Sequence, residues 1–363
     1  TTETKELRDG VKTDLATGVA TNSILSEVFP VRDFPITKVK ELGIYLNDEI
    51  TISGTNLTVI PALRSDKYEL SPQVDSIYLA DNPEQTVVSI TEDSISPKLG
   101  VVYQVNEHAK VYAQYVKGFR APPFEDANIG LDIPLFKMRA IPNPDLKSET
   151  TDGYEIGYNF TSEHHKVELV GFYNDYDDFI QTKVNLGFDP VVGRIIFQSQ
   201  NIANAKIYGA EVNYNYHNQG LFTASDKYNT YASVFWSKGE NRDTDKPINE
   251  IEPNHALLGV EWLTSDESIS VALHANLVAG KSDIDDAEDP ELKLATTAGY
   301  VTFDVIANFH INQQLTIAGA INNLTDKQYW LWSDVNGVSA TDPLLATMAA
   351  PGINASLQLK YAW

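Results

Sequence analysis

The chain has 363 residues, of which 50 are acidic and 27 basic, so its formal net charge is −23. This charge argues against the phosphate backbone of a nucleic acid as a partner. The absence of cysteine excludes disulfide bonds and thiol chemistry. Apolar runs all fall short of the ~18 residues of a membrane helix. A search for long apolar runs does not detect a transmembrane β-barrel, in which alternation keeps the mean hydropathy low while one face is apolar.

Apolar and polar residues alternate with a period of two along much of the chain, which is the pattern of strands with two different faces. In the segment 268–280 the odd residues 269–279 are apolar, whereas polar residues such as His274 lie on the other face. The segment 301–310 behaves in the same way, with apolar odd residues. We therefore predict that the odd residues of both segments face lipid.

The alternation predicts an opening segment followed by a series of strands, roughly 14 in all. The predicted ranges are 41–52, 56–70, 95–106, 109–119, 149–160, 166–180, 195–216, 227–238, 255–264, 267–280, 299–310, 314–323 and 352–363. The connections between them alternate in length, with short turns on one side and long segments on the other. The predicted long connections are 11–40, 71–94, 120–148, 181–194, 239–254, 281–298 and 324–351.

Connections that sort by length in this way are typical of an outer-membrane barrel, with short periplasmic turns and long extracellular loops. A water-soluble sandwich or propeller also alternates, but its connections rarely sort by side. In water the outward apolar faces would expose on the order of thousands of Å², against the few hundred that a soluble monomer tolerates. The sequence therefore predicts an all-β protein, a transmembrane antiparallel β-barrel in contact with outer-membrane lipid.

Two proline-containing boxes bound the predicted loop 120–148. The first, Phe119-Arg120-Ala121-Pro122, ends a strand, because proline lacks the N–H donor that a strand ladder needs. The second, Asn143-Pro144-Asp145-Leu146, precedes the returning strand. X-Pro turns of this kind also bound ordinary structural loops, so turn chemistry alone leaves a purely architectural role open.

The two boxes, FRAP and NPDL, resemble the FRAP and NPNL boxes of TonB-dependent outer-membrane receptors for haem and haemoglobin. The resemblance continues through IPLFKMRAIPNPDLKSETTDGYEIG, NIANAKIYGAEV, INNLTDKQYWLWSDVNG and the final aromatic residue, Trp363. It covers most of the chain from about Arg32 onward. One departure is that 123–142 contains no histidine, whereas receptors of this group usually carry one between the boxes.

This resemblance implies a 22-stranded barrel around a plug. We therefore expect residues 1–363 to form the C-terminal part of the barrel domain, with the N-terminal plug and roughly the first eight strands outside this sequence. The chain begins with Thr-Thr-Glu, without a methionine or a signal peptide, so we expect either a processed protein or a fragment, and we favour a fragment. The partners implied are haem or a haem-carrying protein, the TonB complex through the missing N-terminal part, and the missing barrel segment as another chain.

The function implied is uptake of haem, free or from a carrier protein, across the outer membrane of a Gram-negative bacterium. No intrinsic cofactor or metal is expected, and haem would be the transported ligand. The alternatives are a receptor for a ferric siderophore and a passive, porin-like channel. Motifs of nucleophilic, phosphate-binding or zinc-dependent enzymes are absent from the sequence, so an enzyme is not expected.

Within the bounded loop, Phe119 and Leu146 are predicted to pack and Arg120 to meet a haem propionate. Haem iron accepts His, Met, Cys or Tyr, and Met138 is the only such residue between the boxes, although a hydrophobic contact is the alternative for it. The resemblance also implies that Trp363 is part of an outer-membrane assembly signal, with a place in the interfacial aromatic girdle as the alternative.

The seven histidines divide by predicted position. Those at predicted periplasmic turns are not expected to capture extracellular haem; they are His108, His164, His165 and His310. His217 and His274 could face the lumen, and His255 borders a long outer loop. A solvated lumen residue is the default for these three. The acidic segment 283–291 lacks the ligand spacing of a calcium-binding loop, so a solvated loop is expected there.

Overall fold

The computed structural model describes residues 1–25, 27–83, 85–286 and 293–362, and strands dominate these residues. The strands are β1 Thr2–Thr4, β2 Lys12–Thr13, β3 Ala20–Thr21, β4 Ser23–Ile24, β5 Glu27–Val28, β6 Ile36–Asn47, β7 Ile50–Thr51, β8 Leu57–Gln73, β9 Ile90–Gln104, β10 Ala109–Arg120, β11 Asp132–Ile133, β12 Met138–Ile141, β13 Glu149–Thr161, β14 His165–Asp189, β15 Arg194–Gln219, β16 Lys227–Asn241, β17 Lys246–Pro247, β18 His255–Leu263, β19 Ile269–Val278, β20 Tyr300–His310, β21 Leu315–Asn322 and β22 Asn354–Tyr361. The short helices are α1 Ser76–Asp81, α2 Phe124–Ala127 and α3 Trp332–Val335, and 3-10 turns cover Pro134–Phe136 and Leu345–Met348.

The long strands form one antiparallel sheet in which each strand pairs with the next long strand along the chain, from β6 to β22. The opening strand β1 pairs with β6, where Thr2 lies opposite Val39. Each predicted range overlaps one of these long strands. The prediction of an all-β antiparallel barrel fold is therefore confirmed. No helix in the described part of the chain is long and apolar enough to cross a membrane.

The two faces of the sheet differ as the alternation predicts. On β19 and β20, Leu273 and Phe303 are exposed at 43% and 37%, whereas Ala272 and Thr302 are buried at 9% and 4%. Directly opposite residues of neighbouring strands have side chains on one face. Because Leu273 pairs with Val305, the apolar face is continuous across the two strands. We call the face that carries the odd residues of β19 and β20 the outer face, and the other one the inner face.

The prediction of a long loop at 181–194 is wrong. β14 and β15 continue as a hairpin through most of it and reach lengths of 25 and 26 residues. A tilted strand needs only about 9–11 residues to cross a bilayer, so this hairpin projects well beyond the barrel wall on the long-loop side. Two register shifts, between Gln181 and Val184 and between Asn185 and Phe188, interrupt its ladder. Such irregularities break the strict alternation on which the strand prediction rests.

The segment 120–148 is also more ordered than the predicted loop. It contains α2, β11, a 3-10 turn and β12. β12 pairs in parallel with β15, and Met138 lies opposite Ile195. The segment between the two boxes is therefore attached to the projecting hairpin by a ladder as well as by side chains.

Candidate functional site

The first box lies where β10 leaves the sheet. β10 and β13 stay paired up to Arg120, which lies opposite Glu149. Pro122 is fully buried, and its carbonyl oxygen accepts a 3.2 Å hydrogen bond from the hydroxyl group of Tyr68 on β8. The sheet and this bond together fix the point at which the chain turns away from the wall.

Arg120 lies on the inner face and keeps much of its guanidinium exposed. Its nearest carboxylate is Glu149, at 3.5 Å, and the Arg120 side chain is 50% exposed. The other Glu149 oxygen accepts a 3.0 Å bond from the Ile180 N–H group, so Glu149 also binds the neighbouring strand. Arg120, Arg64 and Lys98 line a cleft of about 1070 Å³. Arg64 is paired with the Asp66 carboxylate at 2.7 Å and Glu41 also lines the cleft, so Arg120 and Lys98 remain to meet an anionic ligand.

The second box is held by β15. The Asn143 side-chain amide donates a 2.8 Å hydrogen bond to the Ser199 carbonyl oxygen, and its own oxygen accepts from the Asp145 N–H group at 3.0 Å. Leu146 is buried, with 7% of its surface exposed. Asn201 then bonds to both backbone groups of Lys147, at 2.8 and 3.0 Å. The box is an architectural anchor, and Leu146 has the burial that a packing residue would have.

Buried polar contacts also hold the middle of the segment. Asn128 is fully buried and makes two hydrogen bonds to the backbone of Val88, at 2.7 and 3.0 Å. Asp126 accepts a 2.7 Å bond from the hydroxyl group of Ser199. Buried polar groups with partners specify one arrangement, because each alternative would leave a group unpaired. The loop between the boxes is thus preorganised.

Met138 lies on an exposed apolar surface at the end of the projecting hairpin. It lies opposite Ile195 of β15, which in turn lies opposite Phe188 of β14. Met138 is 36% and Phe188 59% exposed. This position fits a contact with a protein surface at least as well as a bond to haem iron, so the role of Met138 as a ligand stays a prediction.

The histidines at the turn end of the sheet lie where the sequence predicts them. His165 begins β14 and His310 ends β20, each beside a short turn, while His108 and His164 lie within turns. His217 lies on the inner face at the same end, with its ring 6.1 Å from that of His164. His274, in the middle of β19, is hydrogen-bonded through Nε2 to the hydroxyl group of Tyr231.

His255 lies at the opposite end, as the first residue of β18 and next to the long segment that follows β17. It lies opposite Phe235 on one side and Val278 on the other, and Val278 lies opposite Tyr300. The Phe235 and His255 rings stack at 5.2 Å, and Tyr300 stacks on Tyr329 at 4.1 Å. We call Phe235, His255, Tyr300 and Tyr329 the aromatic row. Sequence reasoning missed it, because the register between strands brings Phe235, His255 and Tyr300 together and a residue of the segment after β21, Tyr329, then stacks on Tyr300.

Two lysines lie close to the aromatic row. Lys327 borders a shallow, open cleft that is also lined by Phe235, His255 and Tyr300. The ammonium group of Lys281 lies 5.7 Å from the ring centre of Trp332. Burial lowers the pKa of Lys281, and the carboxylates of neighbouring loops oppose that shift. The long-loop end of the inner face therefore combines flat rings with cationic groups.

Two further predicted features cannot be placed. Trp363 lies outside the described residues, and so do residues 287–291 of the acidic segment 283–291. Within the described residues, no group of three or more histidine, cysteine or acidic side chains could hold a metal ion. In that part of the chain, Asp285 pairs with Lys246 at 3.0 Å and its N–H group donates to the Asn249 side chain.

An antiparallel sheet with one apolar face, one polar face and its long connections at one end defines a membrane β-barrel of the outer-membrane type. A family model described as TonB dependent receptor-like, beta-barrel matches residues 6–324. The chain belongs to this family, whose members lie in the outer membrane of Gram-negative bacteria, and the predicted resemblance to TonB-dependent receptors is confirmed. The members of this family are transporters and receptors.

Two curated relatives cover much of the chain. Hemoglobin-haptoglobin utilization protein B of Neisseria meningitidis serogroup A is 27% identical over 265 residues, which are 66% of this chain and 32% of the relative. Heme/hemopexin utilization protein C of Haemophilus influenzae is 24% identical over 354 residues, 88% of this chain and 43% of the relative. The chain thus spans less than half the length of these two relatives.

Solved structures share the fold. The copper transporter OprC matches with a TM-score of 0.71 and 18% identity, over 97% of this chain and 51% of that one. The FrpB iron transporter of Neisseria meningitidis matches with a TM-score of 0.66 and 16% identity, over 90% of this chain and 46% of that one. At these identities the likeness is one of architecture.

Proposed function

We propose that this chain is the C-terminal barrel portion of an outer-membrane receptor that takes up haem, or haem from a carrier protein, with energy supplied through TonB. The observation that carries the proposal is the preorganised segment between the FRAP and NPDL boxes, held at the long-loop end of the wall. Curated relatives whose names refer to haemoglobin and haem utilisation support the choice of ligand. The protein would lie in the outer membrane of a Gram-negative bacterium.

The edges of the sheet support the proposal that further strands complete the barrel. Among the described residues, β22 pairs with β21 alone, and Leu357 and Leu359 on it are 80% and 66% exposed. At the other edge, Ile44 and Leu46 of β6 are 68% and 76% exposed. Unpaired strand edges cannot be satisfied in lipid. Both edges would pair with strands of the remaining barrel, which would enclose the plug that contacts TonB.

Uptake by the complete receptor tests the function. In a strain that lacks other haem receptors, growth on haem or haemoglobin as the iron source should require this receptor, TonB and the proton-motive force. Haem uptake that continues after the proton-motive force is dissipated would identify a passive channel. Growth restored by a ferric siderophore but not by haem would identify a siderophore receptor. Either result would overturn the proposal.

A further inference from the structure

We propose that His255 is an axial ligand of haem iron on the inner face of the barrel, and that the aromatic row and Lys327 form the rest of this haem subsite. The inference rests on the proposed function and assigns a residue for it outside the segment between the two boxes. Three observations support it, namely the hydrogen bonding of the imidazole, the flat surfaces beside it, and a cation within the same cleft.

The hydrogen bond of His255 fixes which ring nitrogen is free. Nδ1 lies 3.1 Å from the carbonyl oxygen of Pro253. A carbonyl oxygen only accepts, so Nδ1 carries the proton, and Nε2 of the neutral ring keeps its lone pair. Within the described residues, no hydrogen bond reaches Nε2. Histidines that ligate metals usually donate their other N–H group to a carbonyl or carboxylate in this way, which orients the ring.

His274, His217 and His164 differ in this respect. Nε2 of His274 is occupied by Tyr231. His217 and His164 lie at the turn end, where His217 borders the short connection to β16. His255 alone among these described histidines combines a carbonyl-bonded Nδ1, a free Nε2 and a position at the long-loop end.

The surroundings of His255 suit a flat, partly anionic ligand. The side chain is exposed and stacks on Phe235 with an interplanar angle of 28°. His255 and Tyr300 border two depressions, and the larger is a shallow, open cleft with Lys327 at its edge, so a flat ligand could approach the rings from solvent. A porphyrin can contact the rings of the row, while Lys327 can pair with a propionate.

Haem titration of the complete receptor in detergent micelles tests the assignment. Saturation should give a red-shifted Soret band relative to haem in the same micelles. His255→Ala should lose this band or weaken haem affinity at least about tenfold, and imidazole should restore the band of receptor-bound haem after unbound haem has been removed. Phe235→Ala should keep the band but bind about tenfold more weakly. His217→Ala is the matched control and should behave as the wild type.

The outcomes separate the assignment from the proposed function. A wild-type band that survives in His255→Ala, or that is lost in Met138→Ala instead, overturns the role of His255 but leaves haem uptake standing. A wild-type receptor that neither binds haem nor supports growth on it overturns both. Heat-modifiable migration in gel electrophoresis checks that each variant is folded, and the imidazole rescue separates a lost ligand from a damaged barrel.

Discussion

The hydroxyl group of Ser199 donates a 2.7 Å hydrogen bond to the Asp126 carboxylate, and both side chains are buried. The same oxygen accepts from the Lys183 N–H group at 3.1 Å. One side chain on β15 thus joins the segment between the boxes to the projecting part of β14. The preorganisation of the candidate site depends on contacts between segments that are far apart in sequence.

Ser199→Ala should loosen the segment between the boxes. The substitution leaves the Asp126 carboxylate and the Lys183 N–H group without their partner, and a buried polar group without a partner costs about 1–3 kcal/mol. We expect faster amide exchange in 124–141 and faster proteolysis there, with the barrel intact. Ser333→Ala, at an exposed serine of the short helix α3, is the control. Equal exchange in the two variants would show that Ser199 does not hold the segment.

The outer face should reject charge more strongly than the inner face. Leu273→Arg places a cation among exposed apolar residues of β19 and should lower the free energy of unfolding in vesicles by ~2–4 kcal/mol if the residue lies near the bilayer midplane. Asn276→Arg is the matched control, because Asn276 already bonds to the Asp304 carboxylate at 2.8 Å, and Arg can pair with that group. Similar losses for both variants would contradict the orientation.

The regular part of the barrel could be predicted from the sequence because its signal is local. Lipid on one side and a polar interior on the other require apolar and polar residues to alternate. The alternation in 301–310 therefore predicts both a strand and the face on which each of its side chains lies. The hairpin beyond Gln181 could not be predicted, since its register shifts break the period of two. Its polar residues are typical of a loop, and they form strands only because the two arms of the hairpin pair with each other.

The candidate site, too, could be predicted only in part from the sequence. The boxes are visible because proline marks the end of a strand wherever it occurs. The contacts that hold the boxes could not be predicted from the sequence, because they join residues such as Asn143 and Ser199, which are 56 positions apart. The aromatic row likewise depends on the register of β16, β18 and β20, and a shift of one residue would send His255 to the outer face.

Arg120→Ala should weaken haem binding through the loss of a propionate contact. A charge-assisted hydrogen bond of this kind is worth about 1.5–3 kcal/mol, so affinity should fall by roughly ten- to a hundredfold. Haem dimethyl ester supplies the control, because it lacks the negative charges that Arg120 would meet. The wild type should bind the ester more weakly than haem, and Arg120→Ala should discriminate less. An unchanged preference in the variant would exclude a propionate contact by Arg120.

Removal of Trp363 should lower the amount of the complete receptor in the outer membrane, if the terminal aromatic residue is part of the assembly signal. Trp363→Phe keeps an aromatic ring and should restore the amount. Quantitative immunoblotting of outer-membrane fractions measures both. Normal insertion without Trp363 would leave it as a residue of the interfacial girdle.

The turn between β18 and β19 should contribute a pH-dependent stability. The pKa of Asp266 is lowered to about 2, chiefly because the hydroxyl groups of Thr264 and Ser268 donate hydrogen bonds of 2.7 and 2.8 Å to its carboxylate. In the unfolded chain the pKa of an aspartate is about 3.9. As the pH falls, the unfolded state takes up the proton first, so the contribution is present above about pH 4 and is lost as the pH falls through about 2.

The difference in unfolding free energy between the wild type and Asp266→Asn should therefore be constant near neutral pH and should shrink as the pH falls from about 4 to 2. Thr264→Val removes one hydroxyl donor without changing the charge of the turn. It should raise the pKa of Asp266 and move the same loss to higher pH. Chemical unfolding in micelles at a series of pH values measures all three proteins. A difference that stays constant down to pH values near 2 would show that these hydroxyl groups do not stabilise the charged carboxylate.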